Sequence, residues 1–281
     1  MTGGIYALLG LGISLVFGVM RVINVAHGEM LTLGAYAAIF FGKTIFSGSI
    51  GAIISAIIIT SFAGIIIASM LFRPITREGS INEQQGLVLT LGISMFIANA
   101  VLAIFGPDYH SVPGKITSGT IYIGELVLEG QRLLILIASL IITALLMFFL
   151  RFSVNGMAIK AVAENPDAAM ASGINISRIH LLTFIIGSVL AGIAGALIAP
   201  VTYAFPAMGF DFTLYAFIVV VIGGLGNLWG ALVAAYLYGI AESLSVLWMP
   251  SGYNALIGPM LMLLILIFRP HGLMGRSIER T

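Results

Sequence analysis

Long apolar segments, separated by short polar ones, make up almost the whole chain. Segments such as residues 49–72 and 133–150 have about the 20 apolar residues that a helix needs to cross a bilayer. They lack the dyad alternation that marks the strands of a membrane barrel. Nine candidate spans are predicted, at approximately residues 4–22, 30–47, 49–72, 87–106, 132–150, 180–202, 212–224, 228–247 and 254–269. The seventh and the ninth are short for a full crossing, so eight spans is the alternative.

The composition supports a membrane protein. Only 8% of the 281 residues are charged, whereas soluble proteins have roughly 25%. Lipid must therefore cover most of the surface, and the sequence predicts an all-α, polytopic integral membrane helical bundle, organised as one domain over residues 1–281. The net charge of +1 gives no basic face for nucleic acid, and the absence of cysteine excludes disulfides and thiolate metal sites.

Lysine and arginine concentrate in three places, which predicts an orientation. They are Arg73 with Arg77; Arg151, Lys160 and Arg178; and Arg269, Arg276 and Arg280. Short cytoplasmic loops hold the excess of positive charge, so we expect all three regions to be cytoplasmic. The N-terminus is then outside, the C-terminus is inside, and the number of spans is nine. The longest connections are an external one at about residues 107–131 and a cytoplasmic one at about residues 151–179.

The cytoplasmic connection is longer than a simple turn between spans requires. Residues 156–173 are predicted to form two helical pieces around Pro166, with Asn165 as the N-cap of the second. Asp167 lies in the first turn, where a negative charge suits the helix dipole, and Gly173 ends the helix. The pattern predicts a short cytosolic helix that suits docking to another protein.

Three polar residues interrupt the apolar pattern in the sequence INVAHGEM: Asn24, His27 and Glu29. On one helix Asn24 and His27 would share a face, whereas Glu29 would point elsewhere unless the helix breaks at Gly28. In the interpretation that we favour, these side chains hydrogen-bond backbone groups that are freed where one span ends and the next begins. In the other interpretation, they line the inner end of a transport path or a gate.

Small residues recur at four-residue spacing, which lets membrane helices pack closely. One such face carries Gly10, Ser14 and Gly18. The sequence GGLGN is expected to end one helix and to begin the next. Its glycines are the packing or hinge candidates Gly223, Gly224 and Gly226.

The chain lacks the sequence patterns of an enzyme. The lysines at residues 42–44 and 114–115 do not stand in a phosphate-binding loop, and His27 and Glu29 do not form a His-Glu-x-x-His zinc site. Ion-coupled carriers need ionisable groups at membrane depth, but here the charges gather at span ends. For Glu242 we favour a position at the membrane interface over one in a pathway. We therefore expect a transport path with no enzymatic activity, driven by a separate protein.

Three segments, in order, carry a resemblance to a known family. They are GIYALLGLGISLVFGVMRVINVAHGEMLTLGAYAA, AIKAVAENPDAAMASGINISRIHLLTFIIGSVLAGIAGAL and VVIGGLGNLWGAL. Over nearly its whole length the chain resembles the permease subunits of ABC importers for branched-chain amino acids, of the LivH type. The stretch from Asp167 to Gly173 is similar to the Glu-Ala-Ala-x-x-x-Gly pattern that docks such permeases on their ATPases, with Asp in place of Glu.

The resemblance implies an importer of several parts in the plasma membrane of a prokaryote. A second, homologous permease subunit would complete a heterodimer, and an extracytoplasmic binding protein would deliver the substrate. Two cytoplasmic ATPase subunits would bind ATP and Mg²⁺, so this chain would need no cofactor. The implied contact with the ATPase comprises Glu164, Asp167, Ala168, Ala169 and Gly173, with both alanines in a groove of the ATPase.

Two alternatives stay open. Importers of urea or short-chain amides have similar permeases, so the cargo could belong to that class. An ion-coupled secondary transporter is the alternative from another class.

Overall fold

The computed structural model describes residues 1–45, 49–69, 83–111, 120–123, 126–248, 250, 253 and 256–275. Within these residues the helices are α1 (Thr2–Met20), α2 (His27–Ile45), α3 (Ser49–Ile67), α4 (Glu83–Phe105), α5 (Gly130–Phe152), α6 (Val154–Glu164), α7 (Pro166–Ala171), α8 (Ile176–Ile198), α9 (Met208–Gly223), α10 (Leu228–Ser245) and α11 (Ile257–Phe268). The strands are β1 (Thr120–Ile123) and β2 (Leu126–Glu129).

The helices confirm the predicted membrane bundle. Six helices in the described part of the chain are long and apolar enough to cross a membrane, namely α1, α3, α4, α5, α8 and α10. The seventh and ninth predicted spans are short as expected, because α9 has 16 residues and α11 has 12. Each of the nine predicted spans overlaps one helix of the structure. The predicted loop with Arg73 and Arg77, and Arg276 and Arg280 near the C-terminus, lie outside the described residues.

Helix α1 is the centre of the bundle, and α5, α8, α9 and α10 pack around it. Close packing depends on small residues: a Cβ atom on Gly10 would lie 3.0 Å from Val219, and one on Gly18 would lie 3.4 Å from the carbonyl of Gly226. A second group consists of α2, α3 and α8. There, a Cβ atom on Gly34 would lie 2.5 Å from the Cα atom of Gly192. The predicted small-residue packing is therefore confirmed.

The contacts between helices define two ends of the bundle. At the first, which we call the α7 end, Gly18 of α1 lies beside Gly226, and the carbonyl of Val19 lies beside the ring of His180. At the opposite end, which we call the bridge end, His110 and Ala204 form an antiparallel bridge with N–O distances of 2.9 and 2.7 Å. Helix α1 runs from the bridge end to the α7 end.

The connection after α4 contains more structure than the loop that the sequence predicts. Strands β1 and β2 pair antiparallel, with Thr120 opposite Glu129. At the start of α5, Arg132 forms an ion pair of 3.0 Å with Glu129. The hairpin adds a small ordered element to an otherwise helical fold.

Candidate functional site

The polar sequence INVAHGEM begins in a segment that turns back into the bundle. Helix α1 ends at Met20, and Arg21 adopts a left-handed conformation with φ 53°. The next residues run along α4: Val22 packs against Gly86, and the amide of Val25 donates to the hydroxyl of Thr90 at 3.2 Å. We call residues 21–26 the re-entrant segment, because they leave the α7 end and return to the interior.

The re-entrant segment delivers His27 to the middle of the bundle. The imidazole lies between Gly12 and Gly187, which stand midway along α1 and α8, and a Cβ atom on Gly12 would lie 2.6 Å from the ring. The ring lies beside the carbonyl of Leu9, and the residue is 1% exposed. Helix α2 therefore begins deep inside the protein rather than at its surface.

This geometry corrects the shared helix face of Asn24 and His27 and shows where the chain breaks. Asn24 lies in the re-entrant segment and His27 is the first residue of α2, so the two do not share a helix face. The chain breaks before His27 and not at Gly28, which is helical. The reason is that six non-helical residues, rather than one glycine, reverse the direction of the chain.

Two threonines satisfy the backbone of this irregular stretch. Besides accepting from Val25, the hydroxyl of Thr90 donates to the carbonyl of Ile23 at 3.1 Å. The hydroxyl of Thr213 in α9 accepts from the amide of Gly28 at 3.0 Å and lies 3.2 Å from the carbonyl of Val25. Irregular backbone at membrane depth needs such partners, because lipid offers none. Thr90 and Thr213 therefore satisfy part of the freed backbone, while the structural role that we favoured for Asn24, His27 and Glu29 stays a prediction.

Glu29 forms a separate buried polar contact in the first turn of α2. Its Oε1 atom accepts a hydrogen bond from Ser94 of α4 at 3.0 Å, and the residue is 1% exposed. Its Oε2 atom has no partner in hydrogen-bonding geometry among the described residues, and the same holds for Asn24 Oδ1 and His27 Nε2. Buried polar atoms are usually paired, so these three mark a place where other molecules or other conformations can supply partners.

Helix α7 forms where the sequence predicts a short helix, and both of its termini are capped. The Oδ1 atom of Asn165 accepts from the amide of Ala168 at 3.0 Å, and Pro166 opens the helix. At the other end Gly173 has φ 83°, its amide donates to Met170, and the amide of Ile174 donates to Ala169. This is the Schellman arrangement, in which a left-handed glycine ends the helix.

The exposure of α7 corrects the expected contact of Ala169. Glu164, Asp167, Ala168 and Gly173 are exposed, but Ala169 is only 4% exposed and belongs to the apolar core. The Ala169 side chain therefore cannot enter a groove of another subunit. Instead, it anchors the docking candidate to the bundle, since α7 packs against both α6 and α8.

The glycine-rich sequence between α9 and α10 confirms the predicted helix junction. Gly224 and Gly226 have φ values of 103° and 78°, and Asn227 caps α10 by accepting from the amide of Gly230 at 3.0 Å. A Cβ atom on Gly223 would lie 2.5 Å from the amide nitrogen of Ala231, so the junction has no room for a side chain there. The packing role of these glycines is visible, while the hinge role stays a prediction.

The C-terminal segment closes over this junction. The amides of Leu273 and Met274 donate to the carbonyls of Ile222 and Gly223 at 2.8 and 3.1 Å. The side chain of Asn227 donates to the carbonyl of Met274 at 2.6 Å. The end of α9 is therefore held at the α7 end by backbone contacts.

Sequence reasoning missed three of the residues that shape the site: Thr90, Ser94 and Thr213. Threonine and serine are common in membrane helices, where their hydroxyls usually bond to the carbonyl one turn earlier. Thr213 does this as well, with Gly209 at 2.9 Å. Nothing in their spacing distinguishes them from such residues. Within the described residues no group of three or more potential metal ligands occurs.

Comparisons with known proteins agree with this architecture. The family described as "Branched-chain amino acid transport system / permease component" matches residues 1–268. BraD of Pseudomonas aeruginosa, a high-affinity branched-chain amino acid transport system permease protein, is 31% identical over 99% of this chain and 94% of its own length. LivH of Salmonella typhimurium, which has the same description, is 30% identical with the same coverage. LivM from that organism is 25% identical over 96% of this chain and 68% of its own length. No solved structure matches the protein.

The multi-pass helical bundle shows a membrane protein, and the family match over residues 1–268 makes it a transport protein rather than an enzyme. More specifically, the chain belongs to the family of branched-chain amino acid transport permeases, the permease subunits of ABC importers.

Proposed function

We propose that this chain is one of two membrane-spanning subunits of an ATP-driven importer that carries leucine, isoleucine and valine across the plasma membrane of a prokaryote. The observation that carries the proposal is the family match over residues 1–268. Relatives that align over 94% of their own length are named as high-affinity branched-chain amino acid permeases. The second permease subunit is proposed to be a related but different chain, because Salmonella typhimurium has both a LivH and a LivM relative.

Helix α7 is the proposed contact with two cytoplasmic ATPase subunits, which bind ATP and Mg²⁺. Glu164, Asp167 and Ala168 are exposed on and beside this helix, and its two caps keep it rigid. Gly173 allows the sharp exit of the chain towards α8. A rigid helix that packs on α6 and α8 can pass a displacement into the bundle.

Helix α8 is the proposed link from the ATPase to the transport path. It starts directly after α7, and midway along it Gly187 lies against the ring of His27. A shift of α8 therefore acts on the start of α2 and on the re-entrant segment. Asn24, His27 and Glu29, each with a buried atom that lacks a partner among the described residues, are the proposed gate or path residues. Gly223, Gly224 and Gly226 are the proposed hinge.

The proposed orientation places the α7 end in the cytoplasm. Arg151, Lys160 and Arg178 lie at that end, as the positive-inside rule expects. The N-terminus is then outside and the C-terminus inside. An extracytoplasmic binding protein would dock at the bridge end, where His110 and Ala204 join two connections.

Uptake measurements test the proposed cargo against urea and short-chain amides. The chain is co-expressed with its neighbouring transport genes in cells that lack their own branched-chain amino acid uptake. We expect labelled leucine to accumulate only when this chain is present, with labelled urea at background. Accumulation of urea without accumulation of leucine would replace the proposed cargo with the alternative one.

A further inference from the structure

Three tyrosines and a glutamate meet where α1, α9 and α10 pack together, away from the re-entrant segment and α7. They are Tyr6 of α1, Tyr215 of α9, and Tyr238 and Glu242 of α10, and we call them the tyrosine–glutamate cluster. The ring centroid of Tyr6 is 5.0 Å from that of Tyr238 and 5.6 Å from that of Tyr215. The hydroxyl of Tyr6 donates to Oε1 of Glu242 at 3.1 Å. The cluster lies towards the bridge end, where Gly3 packs on Gly239.

Two polar groups of the cluster have no hydrogen-bond partner among the described residues. They are Oε2 of Glu242 and the hydroxyl of Tyr238, and both atoms are buried. Tyr238 is 1% exposed and Tyr6 is 4% exposed, whereas Tyr215 and Glu242 are half-buried. The hydroxyl of Thr2 also lies beside the Glu242 carboxylate. The ion pair found in the described part of the chain joins Arg132 and Glu129. It does not involve Glu242, whose carboxylate therefore has no cationic side chain as a partner among the described residues.

A carboxylate in this position is costly unless a cation accompanies it. Ionisable groups within membrane helices are rare, and they usually mark the route of a substrate or ion. An ammonium group brings three N–H donors and no acceptor, which complements a carboxylate and phenol oxygens. Tyrosine rings also attract such a cation when it comes within about 6 Å of a ring centroid.

The surroundings of the cluster are apolar. Ile218 and Ala235 are buried in the same hydrophobic group as Tyr6 and Tyr238, and Ile257 packs against that group. The combination of one anionic position and an apolar wall matches a small molecule with an ammonium group and a branched aliphatic side chain. Leucine, isoleucine and valine have this chemistry.

We propose that the tyrosine–glutamate cluster binds the α-ammonium group of the amino-acid cargo during its passage, with Glu242 as the counter-ion. The inference rests on the proposed function, because it takes the cargo to be a zwitterionic amino acid. It assigns Glu242 to the path and thereby revises the interface position that the sequence favoured.

The test compares Glu242→Gln with Ser243→Ala in the complete importer. Ser243 is the next residue of α10, but its hydroxyl donates to the carbonyl of Gly239 in its own helix at 2.8 Å and is not part of the cluster. ATP-driven leucine uptake is measured in proteoliposomes at saturating, loaded binding protein. Losing a charged hydrogen bond to the cargo should lower uptake by Glu242→Gln roughly 10- to 100-fold, with Ser243→Ala at the wild-type rate.

Binding to the importer without its binding protein separates recognition of the ammonium from a general defect. In the wild type, 3-methylbutylamine, which keeps the ammonium, should compete with labelled leucine, and it should lose this effect in Glu242→Gln. If Glu242→Gln does not assemble, Tyr238→Phe, which keeps the ring and removes one acceptor, decides by the same competition. If the wild type takes up leucine, but an assembled variant shows unchanged uptake and unchanged competition, the inference is wrong and the proposed function is unaffected. Absence of leucine uptake by the wild type contradicts the proposed function instead.

Discussion

Replacing Thr213 with valine is expected to destabilise the protein more than almost any other change of equal size. Valine has the same shape but removes the oxygen that accepts from the amide of Gly28, which is then left without a partner at membrane depth. A buried unsatisfied group costs about 1–3 kcal/mol, so we expect the free energy of unfolding to fall by that amount. The thermal midpoint in detergent, followed by size-exclusion chromatography of the heated protein, should fall by about 5 °C or more.

The matched control is Thr143→Val in α5. Thr143 is also buried, but its hydroxyl has no hydrogen-bond partner among the described residues. Its replacement should leave the thermal midpoint close to the wild-type value, because no backbone group loses a partner. If both valine variants melt together with the wild type, the hydroxyl of Thr213 does not hold the re-entrant segment.

Replacing Ala168 with arginine is expected to disconnect the permease from its ATPase without unfolding it. Ala168 is exposed on α7, and arginine is a good helix former, so the helix should persist. A bulky charge at the centre of the proposed contact should weaken binding of the ATPase by at least about 30-fold, the effect of losing a hot-spot residue. Co-purification of the ATPase with a tagged permease measures this directly, and leucine uptake should fall with it.

The neighbouring position provides a contrast. Ala169→Arg places the same charge in the apolar core, so we expect little folded permease in the membrane. Ala168→Ser keeps the side chain small and should retain ATPase binding. Normal ATPase binding and uptake by Ala168→Arg would remove α7 from the proposed contact.

Local features of the fold could be predicted because their physical cause is local. Asn165 and Pro166 start α7 through a side-chain cap and a preset φ angle, and Gly173 ends it in the left-handed conformation. Gly224 and Gly226 mark the junction of α9 and α10 for the same reason. The spans follow from apolar length alone, since only a helix satisfies its own backbone in lipid.

Features that depend on tertiary contacts could not be predicted. The burial of Ala169 follows from the packing of α7 on α6 and α8, and no pattern within six residues of helix reports it. The polar sequence around His27 signalled a break between spans, but the depth of that break depends on Gly12 and Gly187 of other helices. The tyrosine–glutamate cluster joins residues more than 200 positions apart, such as Tyr6 and Glu242.

Reconstitution tests most directly whether this permease is driven by separate ATPase subunits. The permease pair and its ATPase subunits are placed in liposomes with loaded binding protein, and leucine accumulation is measured with ATP, with an ion gradient, or with neither. We predict accumulation with ATP and none with an ion gradient alone, whether or not the ATPase is present. Uphill accumulation of leucine by the permease pair on an ion gradient, with no ATPase in the membrane, would contradict this and identify an ion-coupled carrier.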